Sequence, residues 1–218
     1  MRIYLGIPMY GGAHGLTVSS LLASQKLLLE EGHEVITDIV AGGSILTKVR
    51  NGIVKRFLDS DADVLMFLDS DMVWEARTLQ KLVESPFDIS VANYRKRNNE
   101  VVYLAIAYAT DCGLIGSNHN GDTWLQTFQA GTGMMAIKRR VFNAIPQQPT
   151  YEDNGGQVAC FFDFELRDGQ YYGEDYTFCR KAVESGAQIF ILANAYIGHI
   201  GDTVYGGNYS EHLAGGNL

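Results

Sequence analysis

The sequence predicts an α/β fold built on a mostly parallel sheet with helices on both faces. Three observations carry this. Apolar runs of strand length alternate with segments of helical periodicity through the first half of the chain, the pattern of β-α-β units. The run Val64–Leu68 is continuously apolar, as expected for a strand covered on both faces. The chain has 218 residues, 46% of them hydrophobic, enough for one large core and too few for two comfortable ones.

Taken in order, Arg2–Ile7 reads as a short buried strand stopped by Pro8. Thr17–Glu31 reads as a helix, with Leu21, Leu22, Leu28 and Leu29 at helical spacing and Gly32 at its end. Val35–Ile39 is a second strand. Ile45–Leu58 is a second helix, with Ile45, Val49, Ile53 and Phe57 at i, i+4 steps. Val64–Leu68 is the third strand, Trp74–Glu84 a helix and Asp88–Ala92 a fourth strand. The second half is less regular. Val101–Ala107, Trp124–Gln129 and Gly133–Ile137 read as strands among Gly- and Asn-rich loops. Arg139–Ala144 and Glu174–Ser185 read as helices, and Gln188–Leu192 and Ala195–Ile200 close the pattern. The Gly-, Tyr- and Asn-rich tail after Gly201 reads as a loop or lid.

Charge excludes some partners. The formal net charge is -8, which repels nucleic-acid backbones. An acidic chain can still bind a diphosphate when a divalent cation bridges the two. The three cysteines, Cys112, Cys160 and Cys179, show no C-x-x-C spacing and read as reduced, partly buried thiols of a cytoplasmic protein. The opening MRIYLGIPMYGG does not read as a signal peptide, because Gly6 and Pro8 interrupt its apolar stretch. No apolar run approaches the roughly 20 residues of a membrane span.

The sharpest motif is Asp69-Ser70-Asp71, just past the third strand. Ligands of open parallel sheets sit at the carboxyl ends of strands. Two carboxylates two residues apart can converge on Mg²⁺ or Mn²⁺, which take oxygen ligands. The chain holds its own control. Asp59, Asp61 and Asp63 alternate in the same way but precede the strand, and they lack the glycine and closing glutamate of a calcium loop. That run reads as a solvated turn.

Other residues are ambiguous alone. Glu174 and Asp175 open a helix, where carboxylates are favoured by the helix dipole whatever else they do. Tyr171 and Tyr172 adjoin them and offer faces on which sugars pack. His199 follows a strand between Gly198 and Gly201, and is either a structural histidine or a ligand of the metal bound by Asp71. His14, His33, His119 and His212 read as surface or loop residues. Gly131-Thr132-Gly133-Met134-Met135-Ala136 fits G-x-G-x-x-A loosely, but it lies mid-chain before a strand. It reads as a tight turn at which the backbone approaches a ligand, which the resemblance given below would make donor sugar or acceptor. Arg95-Lys96-Arg97 is either a solvated loop or a phosphate- or acceptor-binding run.

In order, these residues resemble the nucleotide-sugar glycosyltransferases of the GT-A fold, in particular inverting, family-2-like members, and the likeness runs along most of the chain. Ile7-Pro8-Met9-Tyr10 is similar to that family's first strand and loop, which lie against the nucleotide base. Arg50-Asn51 resembles its Arg-Asn near the donor. Asp69-Ser70-Asp71 matches its metal motif, Gly173-Glu174-Asp175 the start of the late helix that carries the general base, and His199 a late histidine that completes the metal shell. The resemblance implies one GT-A-like domain over 1–218 with a Rossmann-like sheet. Residues 1–100 would form the nucleotide-binding half and 101–218 a smaller, mixed-β acceptor-binding half. It implies Mn²⁺ or Mg²⁺ on Asp69, Asp71 and His199. It also implies a nucleotide-diphosphate sugar, UDP-sugar favoured, on Pro8, Met9, Tyr10, Arg50, Asp69, Ser70 and Asp71. Asp175 would be the base that deprotonates a glycan or other hydroxyl acceptor, with Glu174 orienting it. The activity implied is hexosyltransferase-type, inverting, in glycan or polysaccharide synthesis. The chain departs from the family at the end of its second strand, where Thr37–Ser44 replaces the usual acidic, serine-containing turn.

Two other classes compete. A sugar-phosphate nucleotidyltransferase would carry a glycine-rich basic loop after the first strand, and Met9–Gly15 has the glycines without Arg or Lys. A non-catalytic nucleotide-sugar or glycan-binding module would need no base at Asp175.

Overall fold

The structure, a computed structural model, describes residues 1–111 and 113–216, so Cys112 lies outside the described residues. In chain order the elements are β1 (Arg2–Met9), α1 (Gly15–Glu30), β2 (Glu34–Ala41), α2 (Leu46–Asp59), β3 (Val64–Leu68), β4 (Met72–Trp74), α3 (Ala76–Glu84) and β5 (Ile89–Ala92). There follow β6 (Ala109–Thr110), β7 (Gly113–Leu114), β8 (Gly116–His119), β9 (Asp122–Thr127), β10 (Met134–Lys138) and α4 (Arg139–Ala144). The chain continues through β11 (Thr150–Asp153), β12 (Gly156–Ala159), β13 (Glu165–Arg167), β14 (Gln170–Tyr172), α5 (Glu174–Glu184), β15 (Ile189–Leu192), β16 (Tyr196–Ile200), β17 (Val204–Asn208) and α6 (Tyr209–Ala214).

Eight strands form the central sheet in the order β2-β1-β3-β10-β5-β15-β9-β8. Side chains alternate across it as the strand period requires. Ile3 and Leu5 of β1 and Met66 and Leu68 of β3 join Leu28, Trp74, Leu79 and Leu82 on one face. Tyr4, Leu65 and Phe67 join Ile53, Phe57, Phe142 and Phe178 on the other. The α/β class therefore holds, with core on both faces. The sheet is more mixed than the alternation suggests. β10 inserts between β3 and β5 and runs antiparallel to both, and β9 is antiparallel to β15 and β8. β10 and β9 enter from the irregular second half of the chain, so both halves share one sheet.

Several expected elements differ. Val101–Ala107 is not a strand. Tyr103, Ala105 and Ala107 do alternate inward, but their backbone finds other partners. The Ala105 amide donates to Asn93 Oδ1, Asn93 Nδ2 donates to the Ala105 carbonyl, and the Ala107 amide donates to the Tyr209 hydroxyl. In α1 the buried stripe is Thr17, Ser20, Ser24 and Leu28, while Leu22 and Leu29 face solvent. The serines are small enough to admit β4: Trp74 donates its indole N–H to Ser24 Oγ at 2.9 Å and its amide to Ser20 Oγ at 3.2 Å. The tail is neither loop nor lid. β17 pairs antiparallel with β16, and α6 follows, anchored by buried Tyr209. Gly206 and Gly207 lie under the rings of Tyr196 and Tyr103, where any Cβ would collide with a tyrosine hydroxyl. The glycines that suggested looseness are what lets β17 pack.

Candidate functional site

The Asp69-Ser70-Asp71 segment leaves the carboxyl end of β3 and is held by three separate parts of the chain. The Asp69 amide donates to the Gly133 carbonyl, the His14 amide to the Ser70 carbonyl, and the Ile200 amide to the Asp71 carbonyl. His14, expected to be an uninvolved loop residue, also caps α1 by accepting the Leu16 amide on Nδ1. Beside this segment lies an open cavity of about 320 Å³. Pro8, Met9 and Tyr10 from the end of β1, together with Asp69, Ser70 and Asp71, line it, so these six expected donor-site residues are brought together. Gly43 and Ser44, beyond the end of β2, Leu46 at the start of α2, and Arg97 complete the wall.

Arg50 is the hub beneath it. Its side chain is 2% exposed, yet it projects from α2 between two acids. Nη2 donates to Asp69 Oδ1 at 3.1 Å, Nε donates to Glu174 Oε1 at 3.4 Å, and the guanidinium lies 5.4 Å from the Phe67 ring centroid. Nη1 has no partner among the described residues. A buried donor without a partner costs free energy, and Arg50 lies one hydrogen bond from Asp69, which lines the cavity. The neighbouring Asn51 plays a structural part, since its amide exchanges two hydrogen bonds with the Phe162 backbone.

Asp71 meets a second set. Arg97 Nη1 donates to its Oδ2 at 3.0 Å, and His199 Nε2 lies 3.5 Å from the same oxygen. Burial works against the charge on Asp71, but His199 and then Arg97 outweigh it and hold the pKa below the ordinary carboxylate value. His199 Nδ1 lies 2.9 Å from the Arg95 carbonyl, which can only accept, so the Nδ1 proton is fixed there. Nε2 then faces a carboxylate, and without a proton of its own it would offer that acceptor a lone pair. Two acceptors facing each other need a proton or a cation between them.

This pair fits a divalent cation in part. Among the described residues no three His, Cys, Asp or Glu side chains gather closely enough to enclose a metal. Asp71 and His199 offer two donors, with the imidazole oriented by a backbone carbonyl as metal-binding histidines usually are. Mg²⁺ and Mn²⁺ sites commonly leave their other positions to water and substrate oxygens. Asp69, the third expected ligand, is not gathered with the pair; its Oδ1 takes the Arg50 donor instead.

On the far side of Arg50, Glu174 and Asp175 open α5. No side chain caps this helix, and Asp175 Oδ1 accepts the Tyr176 amide at 2.8 Å. Burial, and then the charge of Glu174, push the Asp175 pKa up to about 6. Tyr94, which the sequence reading missed, lies within electrostatic reach of Asp69, Arg50 and Asp175 and packs edge-on against His199 at 5.2 Å between centroids. Its hydroxyl accepts the Gly133 amide. A Cβ at Gly131 or Gly133 would stand 2.5 or 2.6 Å from that hydroxyl. The packing of Tyr94 accounts for the glycines of this turn. Tyr94 follows the carboxyl end of β5, so the rule that singled out Asp69 could have found it.

No known protein-family pattern matches the chain, and no curated protein is similar to it at a significant level. Among solved structures, a mutant Drosophila β1,4-galactosyltransferase 7 in complex with manganese, UDP-Gal and xylobiose matches 88% of this chain at 11% identity, with a TM-score of 0.47. TarS residues 1–349 from S. aureus match 88% at 16% identity, also with a TM-score of 0.47. The inositol-1-phosphate CTP transferase from T. maritima matches 92% at 15% identity, with a TM-score of 0.43, and is covered over 89% of its own length. This chain spans 65% of the galactosyltransferase chain and 58% of the TarS chain. All three TM-scores are below 0.5. No helix among the described residues is long and apolar enough to cross a membrane.

Proposed function

We propose that the protein is a metal-dependent glycosyltransferase that moves a sugar from a nucleoside-diphosphate sugar to an acceptor hydroxyl, with inversion. The observation that carries this reading is the facing pair Asp71 and His199 beside the cavity at the strand ends. Four carboxylates, Asp69, Asp71, Glu174 and Asp175, surround the centre against two guanidinium groups, Arg50 and Arg97. Such a site repels a bare diphosphate and favours one that brings a divalent cation.

The nucleotide lies against Pro8, Met9 and Tyr10, with UDP the favoured carrier, and its diphosphate lies toward Ser70, Asp71 and Arg97. Asp71 and His199 would hold Mn²⁺ or Mg²⁺, whose charge stabilises the departing diphosphate. Arg50 keeps Asp69 and Glu174 in place. Asp175 takes the proton from the acceptor hydroxyl as that oxygen bonds to the anomeric carbon and the carbon–oxygen bond to the diphosphate breaks. A pKa of about 6 suits a general base, because the group is mostly ionised at neutral pH yet basic enough to accept a proton. Glu174 raises that basicity and orients the acceptor. The same proposal gives donor binding to residues 1–100 and acceptor binding to 101–218, and includes the cytoplasmic location read from the cysteines. Cys160 and Cys179 are unpaired thiols, and burial pushes Cys179 up to about 12.

The experiment compares calorimetric UDP affinity with UDP release from UDP-sugars, on wild type and Asp175→Asn, with and without chelator. Mn²⁺ should be required for tight UDP binding in both proteins. Asp175→Asn should keep that affinity while turnover falls by roughly 10²–10⁴, the usual worth of a positioned base. Asparagine caps helices well, so unchanged turnover would return Asp175 to a capping role. Equal UDP affinity with chelator would remove the metal from the mechanism.

A further inference from the structure

The central sheet has two edges, and they are built differently. β8 closes one of them with four residues, Gly116–His119, all glycine or polar. β2 closes the other with eight residues, Glu34–Ala41, and among the described residues it pairs with β1 alone. Sheet edges are usually blunted by short length, proline, a bulge or outward charge. β2 is long, contains no proline, and matches β1 residue for residue without a bulge. Its two carboxylates are spent within the chain: Glu34 accepts from Arg2, and Asp38 accepts from Tyr4 and Arg56.

The direction of each backbone group on β2 follows from its two ends. The Glu34 amide donates to the Met1 carbonyl and the Gly42 amide to the Met9 carbonyl. Even-numbered residues therefore turn their backbone toward β1, and Val35, Thr37 and Ile39 turn N–H and C=O outward. The side chains of these three share the α1 face of the sheet. Val35 packs against the core on that face, and Gln25 Nε2 of α1 donates to Thr37 Oγ1 at 3.4 Å. Ile39 continues the row and is half exposed. Leu22 and Leu29 stand three residues before and four after Gln25, so they share its flank of α1, with Val18 a turn beyond Leu22. Both leucines are more than half exposed. Outward amides and an apolar helix flank thus lie side by side along one edge.

We infer that β2 pairs antiparallel with β2 of a second copy across a two-fold axis at Thr37, joining two eight-stranded sheets and bringing the two α1 flanks together. The strand's own pattern selects this register. A two-fold centred on Ile36 sets Glu34 opposite Asp38 of the other copy, and one centred on Asp38 sets that residue opposite itself. Like charges directly opposite destabilise a strand pair. Centred on Thr37, each Val35 meets an Ile39, Thr37 meets Thr37, and each carboxylate meets an apolar residue, Glu34 on Val40 and Asp38 on Ile36. The same register lets Val35, Thr37 and Ile39 exchange their outward hydrogen bonds in pairs. A strand of another protein would need no such self-consistency. Each chain carries a formal charge of -8, so the copies repel at long range, and apolar and backbone groups hold the contact. The two-fold closes the assembly, because it leaves neither β2 edge free.

The test measures sedimentation of the full chain from about 1 to about 100 µM, the range of micromolar association. A monomer–dimer equilibrium is expected, and it should tighten as salt screens the charge. Ile39→Lys and Leu22→Lys should each weaken it about a hundredfold, since a two-fold enters every change twice. Leu114→Lys, at an exposed leucine of β7, should leave it unchanged. Melting temperatures near wild type would show that the variants fold. Crosslinking reads the register, with wild type and its own cysteines as the control. Under mild oxidant Thr37→Cys should join two chains, because opposed residues lie about 5.5 Å apart at Cα, within reach of a disulfide. Ile39→Cys should not, because its two copies lie four residues apart along the strands, about 13 Å. The inference is overturned by a chain that stays monomeric at the highest concentration, or by a dimer that Ile39→Lys and Leu22→Lys leave intact. It is equally overturned by association that salt weakens, by assemblies larger than a dimer, or by crosslinking of Ile39→Cys and not Thr37→Cys. None of these readouts involves turnover, so their failure leaves the transferase proposal standing.

Discussion

The two ends of β3 carry the same alternation of aspartates and are built for opposite purposes. At its amino end, Asp59, Asp61 and Asp63 are each engaged in holding the turn. Asp59 pairs with Lys55 along α2, Asp61 forms an ion pair with Arg2, and Asp63 accepts the Arg2 amide at 2.7 Å. Arg139 finishes the turn by donating to the carbonyls of Phe57, Leu58, Ser60 and Ala62, as a cation at a helix C-terminus does. Its charge is consumed by backbone, and nothing there waits for a ligand. At the carboxyl end, Asp69 and Asp71 sit on a backbone pinned from three sides. Their cations are a buried arginine with one unpartnered Nη and an arginine half in solvent. The motif is identical; the partners differ because a strand's amino end faces helix C-termini and its carboxyl end faces the cleft.

The widest gap between the two ends should appear on removing each end's arginine. Arg50→Met leaves Asp69 and Glu174 facing each other without the cation that compensates them. Breaking a buried ion pair from one side costs about 3–5 kcal/mol. Arg2→Met removes a solvent-exposed partner and should leave the denaturation midpoint within experimental scatter. Urea titrations of both variants measure this, and equal midpoints would mean that Arg50 is not the hub described above.

The next effect is on ligands. Asp71→Ala should weaken Mn²⁺-dependent UDP binding by about a hundredfold, the upper end of what perturbing a metal site costs. Asp61→Ala should leave it unchanged. His199→Ala sharpens the comparison, because it removes the other member of the facing pair and should match Asp71→Ala. A loss at Asp61 equal to that at Asp71 would mean that the strand-end argument has misplaced the site.

How much of this was legible follows from which interactions are local. The strand–helix alternation through β5 was readable because its burial patterns are local in sequence, apart from β4, which takes Trp74 out of the expected helix; Asp69 and Asp71 fell at one edge by a rule about parallel strands, and Tyr10 by the family resemblance. The insertion of β10 between β3 and β5 was not readable, since strand order is a property of the assembled sheet. Nor was the fate of 101–107: its alternation is that of a strand, but Asn93 and Tyr209 occupy the amides that a neighbouring strand would have taken. β17 and α6 were hidden because their glycines pack under tyrosines that are distant or unremarkable in sequence. Arg97 was weighed only as part of a basic run, and its contact with Asp71 spans 26 positions.

The smallest effect separates the two groups of acids by pH. Asp61, exposed beside Arg2, has its pKa lowered, chiefly by the hydrogen bond from that guanidinium. Asp175 has its pKa raised to about 6, chiefly by burial and then by Glu174. The linkage runs in opposite directions. Asp175 binds its proton more tightly in the folded chain, so its contribution to stability is fully present below its unfolded value near 4. That contribution is lost as pH rises through about 6. Asparagine never ionises, so Asp175→Asn should be more stable than wild type at pH 7.5, by of order 2 kcal/mol for a shift of this size in a partly exposed group. The gain should shrink to nothing below about pH 4, near the unfolded value of an aspartate. Asp61→Asn should go the other way: what it loses, it loses at neutral pH and regains in acid. Melting curves of both variants from pH 3.5 to 8 test the contrast. A functional group that costs the fold stability is the usual exchange at an active site. Parallel curves for the two variants would show that Asp175 is an ordinary surface carboxylate and remove the basis for treating it as a base.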